Sequence, residues 1–62
     1  MKYGIDDLID NKHFTYHGMK PWFTDNDAIR YCSGDWKQMF NAKRDLETMF
    51  PDKVLAVVEI SD

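Results

Sequence analysis

The segment KVLAVVEIS, residues 53–61, restricts the fold of this chain more than any other stretch. Val54, Ala56, Val58 and Ile60 line one face of a strand, and Leu55 and Val57 make the other face apolar as well. A strand over 53–60 is therefore expected to lie inside a sheet or to be covered by another chain. The rest of the sequence has little material with which to cover both faces. The chain has 62 residues in all, which allows a single domain spanning 1–62. A domain of this size buries only about 60% of the surface exposed by its unfolded form, so it needs reinforcement. One cysteine excludes an intrachain disulfide, and no Cys and His set has structural-zinc spacing. What remains is a densely aromatic core, a second chain, or both. A content of 44% hydrophobic and 15% aromatic residues excludes a disordered chain.

Two more strongly patterned regions complete the expected fold. In residues 12–17, KHFTYH, Phe14 and Tyr16 share one strand face while His13, Thr15 and His17 share the other. Asp35 is a helix N-cap with Gln38 at the capping-box position. Trp36, Met39, Ala42, Leu46, Met49 and Phe50 then recur at threes and fours, which predicts a helix over 36–50, ended by Pro51. Asn41 could instead break this segment and cap a shorter helix over 42–50. A shorter helix is expected near 25–32, with Thr24 as its cap, Phe23 packing on Ala28 as a hydrophobic staple, and Gly34 as its stop. In YGIDDLID, Ile5, Leu8 and Ile9 fit a helical turn, although Tyr3 and Ile5 would equally suit a strand; the turn is preferred. The fold class is α+β: a small antiparallel or mixed sheet packed against one main helix.

The charge balance narrows the partners. Eleven acidic and eight basic side chains give a net charge of −3, which argues against general affinity for phosphate-rich surfaces. No apolar run approaches the roughly 20 residues of a membrane span, and the aspartates in MKYGIDDLID occupy the place of a signal peptide's apolar stretch. With a free thiol, this points to the cytoplasm and to a complete small gene product.

Each candidate for chemistry meets a physical objection. His13 and His17 would share a helix face, but on a strand they lie roughly 13 Å apart. They cannot then both reach to within about 2 Å of one metal ion. Cys32 falls at the expected C-terminal end of the short helix, where the dipole disfavours a thiolate; it reads as an inert thiol. Nine of the eleven acids are aspartate, the residue of caps and turns, and none has the spacing of a calcium loop. Lys37, Lys43 and Arg44 precede Asp45 and Glu47 along the helix, an order that opposes the dipole and offers a basic strip for an acidic partner. The nine aromatic residues are claimed mostly by a small core.

The run PWFTDNDAIRYC, then FNAKRDLETMF and the terminal VLAVVEI, resembles short accessory proteins of bacteriophages and bacteria over residues 21–60. Those with known roles are often small inhibitors of a host enzyme, toxin or polymerase. The resemblance implies a binding role and supplies no catalytic residues.

The expectation is a protein-binding module without enzymatic activity, metal or cofactor, engaging a protein partner or itself as a homodimer. Its surface would combine Leu55 and Val57 with His13, Thr15 and His17, should the two strands pair, and the strip Lys37, Lys43 and Arg44. The alternative is a small nucleic-acid-binding protein using Lys12, Lys20, Trp22 and Lys37.

Overall fold

The computed structural model describes residues 1–61. Four strands, β1 (Lys2–Asp7), β2 (Lys12–His17), β3 (Lys20–Thr24) and β4 (Leu55–Ile60), form one antiparallel sheet in the order β3-β2-β1-β4. One helix, α1 (Trp36–Met49), packs on one face of it. A single 3-10 turn, Asp27–Ile29, stands where a short helix was expected. Asn26 caps that turn by accepting the Ala28 N–H; Thr24 sits two residues earlier and accepts the Asn26 N–H. Phe23 packs on Phe14 and Phe50 rather than on Ala28.

The N-terminal segment is a strand and not a helical turn. All six residues of β1 pair with β4, from Lys2 opposite Ile60 to Asp7 opposite Leu55. The six ladder positions outweigh the local preference of Asp6 and Asp7 for a helix start. Leu8 and Ile9, read as part of a helical face, are exposed in the loop that follows. That loop returns to β2 through Asn11, whose φ of 56° lies in the left-handed region that asparagine tolerates. The β2–β3 hairpin closes on Gly18 and Met19, with Gly18 at φ 65° as the first residue of a II′-type turn.

Ile5, Phe14, Met39, Leu46 and Leu55 form the buried core between sheet and helix. Burial of each contributes about 1.5–3 kcal/mol. Tyr3, Phe23, Tyr31, Ala42, Phe50 and Val57 close its margins. The predicted cap holds: the Asp35 carboxylate accepts the Lys37 and Gln38 N–H groups at 3.0 and 3.3 Å. The capping box is completed indirectly, since Gln38 Oε1 accepts from Ser33 Oγ, which itself accepts the Asp35 N–H. Asn41 does not break the helix.

β1 and β2 pair only at Asp6–His13 and Asp7–Lys12, then diverge. The segment Tyr31–Ser33 fills the gap. Tyr31 N–H donates to the Phe14 carbonyl at 2.9 Å, and Ser33 exchanges two backbone hydrogen bonds with Tyr3. This arrangement sends Tyr31 into the aromatic group Phe14–Tyr16 and swings Arg30 to the sheet face away from α1. There Arg30 lies over Gly4, where a Cβ would come within 2.7 Å of Nη2. Among the described residues, no helix is long and apolar enough to cross a membrane.

Candidate functional site

A four-stranded open sheet has two edges, and here they differ. The two-residue hairpin closes on the pair His17 and Lys20, so ladder alternation turns Pro21 of β3 toward open solvent. Proline has no N–H to offer there, which blunts that edge. β4 has no such protection. The Leu8 N–H donates to the Val54 carbonyl, which fixes the phase of the β1–β4 ladder. Val54, Ala56, Val58 and Ile60 therefore bond toward β1. Leu55, Val57 and Glu59 turn their N–H and carbonyl groups to the free edge. The strand reads LAVVEI, without proline or lysine.

A groove runs beside this edge on the helix side. Tyr3 and Glu59 are direct cross-strand partners, and Val57 is the next residue of β4 on the same face. Trp36 and Phe40, one turn apart on α1, stand over them. The rings of Trp36 and Phe40 are nearly perpendicular, at 87°, with centroids 5.4 Å apart. These five residues line a groove of about 400 Å³. Trp36 and Phe40 are 49% and 47% exposed, comparable with Trp22 and Tyr16 on the sheet. Among the described residues, no side chain hydrogen-bonds or ion-pairs with Glu59.

The residues singled out from sequence fall in several places. Leu55 is a core residue at 6% exposure, covered by α1, and Val57 is half-buried in the groove floor. The expected apposition of β2 and β4 does not occur, because β1 lies between them. His13 and Thr15 are engaged within the chain. His13 Nδ1 lies 2.8 Å from Asp6 Oδ1, which also accepts from Arg30 Nη2 at 2.6 Å. Thr15 is buried and donates to the Ile29 carbonyl at 2.6 Å. His17 is exposed beside Trp22, on the sheet face away from α1. Lys43 turns to Glu47 at 3.3 Å, while Lys37 and Arg44 are exposed on α1. Lys12 and Trp22 line a shallow groove near β3, whereas Lys37 is exposed in the first turn of α1. The four residues of the nucleic-acid alternative are thus divided between the β2–β3 hairpin, which carries Lys12, Lys20 and Trp22, and α1, which carries Lys37. Among the described residues, no group of three His, Cys, Asp or Glu is placed to hold a metal ion.

No family model, curated protein or solved structure matches this chain. Its function must be argued from the geometry.

The buried carboxylate of Asp7 belongs to the scaffold. Burial by itself would raise its pKa. The Lys53 ammonium at 2.9 Å and the Ile9 and Asp10 N–H groups outweigh that and hold the carboxyl below its ordinary value. Asp7 thereby ties the β1–β2 loop to Lys53, two residues before β4.

Trp36, Phe40, Tyr3 and Glu59 were not separable from core or surface by sequence pattern. The one available signal lies in α1. Trp36 and Phe40 occupy one flank of the stripe defined by Met39 and Leu46, making the apolar face wider than a single sheet contact requires.

Proposed function

We propose that this protein is a non-enzymatic protein-binding module that accepts an extended segment of a partner as a fifth strand on β4. The observation that carries this reading is the contrast between the two edges. β3 presents Pro21 to solvent, whereas β4 presents the backbone groups of Leu55, Val57 and Glu59 beside a half-exposed aromatic groove. Strand addition draws affinity from main-chain hydrogen bonds and specificity from pockets that receive alternate side chains. The β4 edge offers the first, and the groove under Trp36 and Phe40 offers the second.

Amide hydrogen exchange tests the reading. In dilute free protein the Leu55, Val57 and Glu59 amides should exchange much faster than those of Ala56, Val58 and Ile60. Adding an extended peptide should slow the first set selectively. Protection of the same amides that grows with protein concentration alone would make a second copy the occupant. Equal protection of both sets in dilute protein, or slowing confined to β3, would refute the reading.

A further inference from the structure

We infer that the groove between α1 and the β4 edge is a cation site that takes a lysine-type alkylammonium, bare or N-methylated, from the added segment. This rests on the strand-addition reading for its setting, but the chemistry of the groove is argued separately.

Three aromatic side chains, Tyr3, Trp36 and Phe40, contribute walls to one groove, and Val57 forms its floor. Two of the rings stand perpendicular, an arrangement that lets neighbouring π systems approach one guest from different sides. Ring faces carry partial negative charge and attract ammonium groups, most strongly when water is displaced. An apolar groove alone would prefer a neutral guest. Glu59 removes that ambiguity, because its carboxylate lines the same groove and has no partner among the described residues. A carboxylate with several aromatic rings favours a cation over a neutral side chain of equal shape.

The start of α1 would oppose this, since a helix N-terminus carries partial positive charge. Here the Asp35 carboxylate already accepts the Lys37 and Gln38 N–H groups, which offsets that charge close to Trp36. Lys37 does not line the groove. The register also suits delivery by a strand. Val57 and Glu59 both direct backbone groups to the free edge and side chains to the helix side. A residue of an added antiparallel strand paired with either would direct its own side chain to the same side. A long alkyl stem can then cover Val57 and carry its ammonium to the rings and Glu59.

Two kinds of probe test the site. The first is butyltrimethylammonium against its neutral isostere 2,2-dimethylhexane, or a soluble alcohol of that shape, followed by the Trp36 indole N–H signal in NMR. The second is a set of peptides of about seven residues, alternating threonine and valine around a central lysine, trimethyl-lysine or norleucine. The cation should shift Trp36 and leave Trp22 unchanged. The two lysine-type peptides should bind at least about five-fold more tightly than the norleucine peptide. Glu59→Gln and Trp36→Ala should each abolish that preference, while the backbone amides of β4 still respond to every peptide.

Equal affinity of the three peptides at β4 would overturn the cation site and leave strand addition standing. A Trp36 response to the small cation, with no peptide response in β4, would uphold the cation site and refute strand addition. Tighter binding of the neutral isostere would overturn the cation site outright. Glu59→Gln serves as the main variant because the side chain is exposed and unbonded, so its fold is not at stake.

Discussion

Tyr3 and Glu59 face each other directly across β1 and β4, near opposite ends of the chain, and their side chains form one wall of the groove under Trp36 and Phe40. Tyr3 turns its own backbone toward Ser33, so the pair depends on both the β1–β4 ladder and the Tyr31–Ser33 segment. The aromatic groove is therefore a product of register rather than of any local run of residues.

Because Glu59 is exposed and makes no side-chain bond among the described residues, Glu59→Gln should leave the unfolding free energy within about 0.5 kcal/mol of the parent. Trp36→Ala should cost about 1 kcal/mol, the scale of a half-exposed aromatic pair. Urea titration followed by circular dichroism checks both. A loss of several kcal/mol in either would mean that the groove is part of the core.

Asp7 makes the fold sensitive to acid. Its carboxyl is held below the ordinary value of 3.8, so the folded state favours the ionised form. The resulting stabilisation is fully present above that value and is lost as pH falls through the lower, folded-state pKa. Asp7→Asn should cost about 1–3 kcal/mol near neutral pH through loss of the charged partner of Lys53. The gap between variant and parent should close in strong acid. Stability curves of the two proteins against pH provide the measurement, and parallel curves would contradict this role.

Gly4 is favoured by space rather than by backbone angle. A Cβ there would meet Arg30 Nη2 at 2.7 Å and Ile60 Cδ1 at 2.8 Å. Both are side-chain ends that can move aside, although Arg30 is held by Asp6, so Gly4→Ala should destabilise by no more than about 1 kcal/mol. Gly34→Ala, whose added carbon would meet only the Met1 carbonyl at 3.6 Å, should change stability by less than about 1 kcal/mol. Thermal melts of the pair check both limits.

Within α1, Met39→Ala and Leu46→Ala should each cost about 2–5 kcal/mol, since both residues are fully buried. Met49→Ala, at a position 53% exposed, should cost less than about 1 kcal/mol. Similar losses at all three positions would contradict the orientation of the helix on the sheet.

The parts legible in the sequence are those determined by local chemistry. Asp35 and the Met39–Leu46 stripe announced α1, the alternation in residues 12–17 announced β2, and the Val-rich tail announced β4. Sequence pattern assigned the two faces of β4 but not which one α1 would cover. Leu55 and Val57 were read as the free face, yet they face the helix. The β1–β4 register decides that question by setting Leu55 and Val57 opposite Asp7 and Ile5, and it depends on β1, whose aspartates imitate a helix start. His13 and Thr15 looked available for the same reason. Asp6 reaches His13 as its cross-strand partner once β1 is a strand, and the Ile29 carbonyl reaches Thr15 only when the Asp25–Ser33 segment folds back over the sheet.

The most direct test of the strand-addition account modifies a single atom at the β4 edge. The chain is short enough for total synthesis, so Val57 can be introduced as N-methylvaline. This removes one outward N–H and leaves the side chain and the hydrogen bonds to β1 in place. With folding verified by circular dichroism, the lysine peptide is titrated against both proteins and backbone amide shifts are followed. The account predicts that methylation weakens binding by about ten-fold or more, as loss of a main-chain hydrogen bond and steric closure of the edge require. Unchanged affinity, or peptide-induced shifts centred on β3 and Trp22, would contradict it.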